Sequence, residues 1–174
     1  MRCFVACWPD DSTRRHLDQA AHEALARCPG ARRVRAENLH LTLAFIGELP
    51  LPKAREAAEA LRRVSSAPFE WHIDHVGRFE RAHVLWAGGP PEPRLEQLAE
   101  RVRSELQTLQ IRFDAKRFAA HVTLLRDVPP LGATHPVGVV EAIEPFAWPI
   151  RDALLLVSER DSPGAPRYRA LASP

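Results

Sequence analysis

Two short stretches of this chain pair an imidazole with a hydroxyl at the same spacing, His40-Leu41-Thr42-Leu43 and His121-Val122-Thr123-Leu124. Side chains of an extended strand alternate between faces, so His40, Thr42 and Ala44 share one side, with His40 and Thr42 about 6.6 Å apart along the axis. Leu41, Leu43 and Phe45 then point the other way, toward a core. The second stretch repeats the arrangement, with His121 and Thr123 on one face and Val122 and Leu124 on the other. A single His-x-Thr reads as a structural histidine beside a β-favouring threonine. Two copies, each set opposite an apolar face, point to a shared chemical purpose.

Paired histidines with paired hydroxyls suit in-line displacement at phosphorus. The nucleophile arrives and the leaving oxygen departs on opposite sides, so one group must take a proton while another gives one. Histidine does both near neutral pH, because its unperturbed pKa of about 6.5 leaves both forms available. Threonine hydroxyls donate to the non-bridging oxygens from each side and hold the phosphorus in place. Such a mechanism needs no metal and no cofactor, since the acid protects the leaving oxygen and hydrogen bonds stabilise the charge.

The elements that must carry these residues are legible from periodicity and punctuation. Residues 2–8 read as a strand, and Asp10 or Asp11 can cap a helix that runs to about Cys28 and ends at Pro29-Gly30. Leu39 to Ile46 is a second strand closed by Gly47, and Pro52 opens a helix with Leu61 and Val64 on its apolar side that stops near Ser65. Phe69 to Phe79 and His83 to Trp86 form a hairpin. Leu95, Leu98, Val102, Leu106 and Leu109 recur at three- and four-residue steps and define a helix over 93–109. His121 to Arg126, Val137 to Val140, Phe146 to Ile150 and Leu154 to Glu159 complete the strands. Strand, helix and strand with His-x-Thr occur at 3–46 and again at 83–126. The histidine lies 37 residues from the strand start in the first unit (3 to 40) and 38 in the second (83 to 121). A duplicated unit with a cleft between its copies is the expectation.

A chain of 174 residues is within the range of one domain. Hydrophobic residues at 45% and charged residues at 26% exclude a disordered chain. The 16 prolines suit short elements divided by rigid turns and speak against a long-helix bundle. With 24 Lys and Arg against 22 Asp and Glu, the net charge of +2 is too weak to grip a long duplex but leaves room for a small anion or a nucleic-acid end. The aliphatic runs are far below the roughly 20 residues that cross a bilayer, so no membrane role is expected. The opening residues lack the apolar region and cleavage site of a signal peptide. Three cysteines without metal-type spacing suit reduced thiols in the cytoplasm.

The stretches Glu37-Asn38-Leu39-His40-Leu41-Thr42-Leu43-Ala44-Phe45-Ile46-Gly47 and His121-Val122-Thr123-Leu124-Leu125-Arg126-Asp127 resemble the paired motifs of the 2H phosphoesterase superfamily. Within it they are similar to the bacterial and archaeal RNA 2′,3′-cyclic phosphodiesterases, also called 2′-5′ RNA ligase-like proteins. Phe4-Val5-Ala6 and Arg167-Tyr168 fit that branch too, so the likeness spans almost the whole chain. The resemblance implies a single bilobal α+β domain over 1–174, with two pseudo-symmetric lobes, antiparallel sheets lining a central cleft and helices outside. It implies metal-independent hydrolysis of RNA 2′,3′-cyclic phosphate ends to 2′-phosphates, with weak reversible 2′-5′ ligation, by a monomer. His40 would give a proton to the departing 3′-oxygen, His121 would activate water, and Thr42 and Thr123 would bind the phosphate. Arg126 matches the family's arginine after the second motif, a phosphate contact. Strict alternation nevertheless puts Arg126 on the face opposite His121, so it reaches the cleft only if the strand ends or bulges first.

Other residues carry weaker signals. Trp71, His72, His75 and His83 cluster on the hairpin, but no further ligand completes a tetrahedral metal site. His16, His22 and His135 read as solvated. Arg32, Arg33 and Arg35 before the first motif, and Arg112, Lys116 and Arg117 before the second, either line the two cleft walls or are exposed loop charges. Phe118 or Phe45 could stack a terminal base, although Phe45 falls on the core face. Tyr168 reads as a packing residue. The alternatives to RNA-end hydrolysis are a nucleotide or RNA-end binding module without turnover, and a phosphodiesterase for a small cyclic nucleotide phosphate such as ADP-ribose 1″,2″-cyclic phosphate.

Overall fold

The first strand, β1 (Arg2–Cys7), is buried from Cys3 onward, as a strand covered on both faces must be. Cys3, Val5 and Cys7 enter the main core, while Phe4 and Ala6 pack with Leu156 on the other side. The structure, a computed structural model, describes residues 1–64, 67–130, 141–159 and 166–171. Helix α1 (Asp11–Arg27) starts where the Asp10 carboxylate accepts a hydrogen bond from the Thr13 amide at 2.7 Å, satisfying one of the free N–H groups of the first turn. It ends before Pro29-Gly30, where Gly30 takes a φ of 92°, a value that only glycine adopts at no steric cost.

Helix α2 (Leu51–Leu61) has proline in its first turn. It is shorter than expected: Val64 lies beyond its end, yet still packs on the core, and Ser65 lies outside the described residues. Helix α3 (Pro93–Thr108) buries the expected stripe of Leu95, Leu98, Val102 and Leu106. The remaining strands are β2 (Arg32–Arg33), β3 (Leu41–Glu48), β4 (Phe69–Phe79), β5 (Val84–Gly88), β6 (Val122–Arg126), β7 (Glu141–Ile150), β8 (Leu154–Glu159) and β9 (Arg167–Ala170). Both histidines therefore stand one residue before their strands. The expected strand Val137–Val140 and His135 lie outside the described residues. Strand β7 is longer than its apolar segment, and it tolerates Pro145 and Pro149 because it is the end strand of the sheet, with one edge unpaired among the described residues.

The strands pair antiparallel in the order β7-β4-β5-β6-β3-β1-β8-β9, with β2 added beside β6. This α+β arrangement has a narrow waist. β3 and β6 meet through one residue pair, Leu41–Val122, both fully buried. The sheet is thus two halves, β7-β4-β5-β6 and β3-β1-β8-β9, held together at the residue between each histidine and its threonine. The helices are exchanged across that waist. α1 follows β1 but packs on β6 and β7 of the opposite half, and α3 follows β5 but packs on β3. α2 lies on β8 and against α3.

Candidate active site

The Leu41–Val122 pair organises the site. Continuing its antiparallel register one residue each way sets His40 across from Thr123 and Thr42 across from His121. With Leu41 and Val122 turned into the core, these four side chains share the opposite face. All four line one cavity of about 650 Å³, together with Arg126. The five residues singled out from sequence are thereby brought to one place.

Arg126 gets there because β6 bulges. Thr123 pairs with Trp86 and Leu125 with Leu85, so β6 carries one extra residue, Leu124, between them. The extra residue reverses the alternation. Leu124 and Leu125 are both buried, and Arg126 returns to the cleft side. β3 bulges at the equivalent point, with Thr42 opposite Ala6 and Ala44 opposite Val5, leaving Leu43 extra. Two expectations fail there for the same reason. Ala44, expected beside His40 and Thr42, is 3% exposed in the core, and Phe45, expected in the core, is 54% exposed and lines the cleft. Phe45 in one half and Arg126 in the other occupy matching positions.

Both imidazoles are held alike. Nδ1 of His40 bonds the Asn38 carbonyl oxygen at 2.6 Å, and Nδ1 of His121 bonds the Ala119 carbonyl oxygen at 2.7 Å. A carbonyl only accepts, so Nδ1 carries hydrogen in each ring and Nε2 is the nitrogen left for a ligand. Asn38 is itself buried and donates from its side chain to the Pro166 carbonyl at 2.7 Å. Aromatic rings fix the planes: Phe4, Trp8 and Tyr168 lie 4.9, 5.9 and 5.2 Å from His40. Phe79 stands edge-on to His121 at 4.9 Å, with Trp86 at 6.5 Å. Tyr168 packs and lines the cleft at once. Trp86 lies close over Gly77, where a Cβ would sit 2.3 Å from its ring.

Burial pushes His40 down to about 4, with the positive charge of Arg126 and the second imidazole acting in the same direction and the Asn38 bond opposing them. His121 is also lowered, first by burial and then by Arg126, against its bond to Ala119. Both rings are held toward their neutral forms. An entering phosphate anion acts in the opposite sense, favouring the imidazolium.

The basic clusters divide. Arg32, Arg33 and Arg35 line the cleft, whereas the other wall presents Asp114 and none of Arg112, Lys116 and Arg117. The Lys116 ammonium is 3.0 Å from Asp114. Phe118 packs against the core outside the cleft. On the hairpin, Nδ1 of His75 bonds Asp74 at 2.6 Å, and Trp71 packs against Trp148 in the core. His72 and His83 are exposed, as are His16 and His22. Among the described residues, no three His, Cys, Asp or Glu side chains come together as a metal site. The carbonyl anchors and the aromatic supports escaped the sequence reading, whereas the wall of Arg32, Arg33 and Arg35 was one of its two alternatives for that cluster. The first use backbone oxygens, which leave no mark on residue type; Gly77 and Gly88, the two glycines against which the Trp86 ring lies, were the visible trace of the second.

Residues 8–86 and 89–166 match the LigT-like phosphoesterase family model, one His-x-Thr falling in each stretch. The chain belongs to the LigT-like phosphoesterase family. Among its relatives, the RNA 2′,3′-cyclic phosphodiesterase of Archaeoglobus fulgidus is 38% identical over 129 residues, covering 72% of each chain. That of Thermotoga maritima is 35% identical over 131 residues, covering 72% of this chain and 70% of its own. The crystal structure of Escherichia coli LigT complexed with 3′-AMP superimposes with a TM-score of 0.78 at 29% identity, over 98% of this chain and 95% of that one. The LigT-like fold thus extends over nearly the whole length, including both half-sheets around the waist.

Proposed function

We propose that this protein is a cyclic phosphodiesterase that opens 2′,3′-cyclic phosphates at RNA 3′ ends to 2′-phosphates. The observation that carries the reading is the convergence of His40 and His121, each with Nε2 free, on one cleft across the Leu41–Val122 pair. The phosphate sits between the two rings. Water attacks phosphorus from the His121 side, forming the new P–O bond and giving its proton to Nε2 of His121. The bond to the 3′-oxygen breaks on the opposite side, and that oxygen takes the proton from Nε2 of His40. Thr42, Thr123 and the Arg126 guanidinium hold the non-bridging oxygens as charge builds on them. A ribose 5′-hydroxyl attacking in place of water, with the same departure of the 3′-oxygen, forms a 2′-5′ linkage, and the reverse of that step cleaves it back to the cyclic phosphate. Exposed Phe45 offers its ring to a terminal base.

The chain acts in this reading as one domain with two pseudo-symmetric lobes, as a monomer, in the cytoplasm. Its cysteines are all unpaired, Cys3 and Cys7 are buried, and burial pushes the Cys7 thiol up to about 12, which suits a reducing compartment. No described helix is long and apolar enough to cross a membrane.

The test is incubation with a short RNA ending in 2′,3′-cyclic phosphate in the presence of EDTA. The expected product is the 2′-phosphate, with His40→Ala and His121→Ala each removing nearly all turnover while leaving the fold intact. Thr42→Ala loses on the order of 10²-fold or less, as for removal of one oxyanion donor. Failure of turnover in wild type, or a requirement for added metal, refutes the reading.

A further inference from the structure

The cleft is near-twofold at its centre and lopsided at its ends. At one end Arg126 of β6 lies directly across from Arg32 of β2 in the strand register, a like-charge pairing that costs stability unless something anionic lies over it. Arg32 gives its Nε to Asp127 at 2.9 Å, which leaves it donors to spare. Arg33 is occupied by Asp18. Arg35 has only Glu37, 3.9 Å away, and both side chains are more than half exposed. No ion pair involves Arg126 among the described residues. At the other end, the position matching Arg126 holds Phe45, and the wall carries the carboxylate of Asp114 beside one arginine, Arg2, in place of a cluster of three.

We propose that the arginine end is a subsite for a second phosphate, the internucleotide one next to the reacting group, held by Arg32 and Arg35. This rests on the acid–base reading of the centre and deepens it: the preferred substrate is an oligonucleotide end rather than a free nucleotide. Arg126 stays with the reacting phosphate. Arg32 stands one strand further out, about 5 Å away between Cα positions of a cross-strand pair, and Arg35 lines the same wall beyond β2. The Phe45 end has a single arginine, Arg2, in a wall shared with the Asp114 carboxylate, and its exposed ring suits a base. With Arg32 and Arg35 together on the opposite wall, the strand leaves the cleft across β2.

Binding separates this from the chemistry. Affinities are measured for a nucleoside 2′-phosphate and for a dinucleotide ending in that same 2′-phosphate, over a range of salt. One further phosphate contact on a single strand steepens the fall of log K with log salt by about 0.7. The dinucleotide is expected to bind tighter on the order of tenfold at low salt, the size of one charged contact, and with that steeper slope. In Arg32→Gln/Arg35→Gln both differences collapse, while thermal unfolding shows the variant folded. Equal affinities in wild type, an advantage indifferent to salt, or one that survives in the double variant overturns the subsite. Turnover of the matching 2′,3′-cyclic phosphates is followed in parallel. Its absence refutes the acid–base reading, whereas the binding ratio still decides for or against the second phosphate.

Discussion

His40→Gln provides a direct test of how the site sets its protonation state. Folding lowers the His40 imidazole from an ordinary value of 6.5 to about 4, chiefly by burial. Between those values the unfolded chain binds the proton and the folded one does not, so stability rises with pH through the window. The contribution is complete above about pH 6.5 and is lost as pH falls toward 4. A tenfold change in proton affinity corresponds to about 1.4 kcal/mol, so the full effect is on the order of 3 kcal/mol, of which about 2 kcal/mol falls between pH 7 and 4.5. Carboxylates such as Asp10 and Glu92, also lowered on folding, make wild type and variant alike less stable in acid. The difference between the two proteins cancels them. Urea denaturation at pH 7 and pH 4.5 measures it: wild type should lose more stability than His40→Gln by about 2 kcal/mol, or roughly 1 M in midpoint. Parallel losses would refute the claim that burial holds this ring neutral.

Further outcomes follow from the same geometry. Because both imidazoles are lowered and kcat/KM reports the groups of the free enzyme, its bell-shaped profile should peak below pH 6.5. The kcat profile should lie at higher pH, because the bound anion favours the imidazolium; rate measurements across pH 4–9 decide, and a kcat/KM optimum above 7 counts against it. Phe45→Ala should raise KM roughly tenfold, the order of one base–aromatic stack, with kcat little changed in steady-state assays. Gly77→Ala places a Cβ 2.3 Å from the Trp86 ring, so it should cost about 1–3 kcal/mol as overpacking in urea denaturation, and unchanged stability would show that the ring is free to move.

The centre of the site was legible in the sequence because its chemistry is carried by side-chain type. His40, Thr42, His121 and Thr123 stand out by spacing alone, and the stripe from Leu95 to Leu106 declares its helix. The ends of the site were not legible in the same way, since a one-residue bulge changes no composition. Its trace was present in Leu43-Ala44 and Leu124-Leu125, adjacent apolar residues that interrupt the alternation. Read as bulges, they would have turned Phe45 and Arg126 toward the cleft and removed the conflict over Arg126. The exchange of α1 and α3 between half-sheets had no such trace. Both helices are amphipathic, and an apolar stripe states that a helix is covered without stating by which sheet.

That exchange reaches beyond the resting structure. Each half takes one roof helix from across the waist, α1 for one and α3 beside α2 for the other, so neither closes its core alone, and folding should proceed as one cooperative event with no stable half-protein on the way. A half-length polypeptide of this design would need a twin, each arching its helix over the other's strands. The single chain holds both members of such a swapped pair, and its β8-β9 ribbon returns to complete the half that β1 begins.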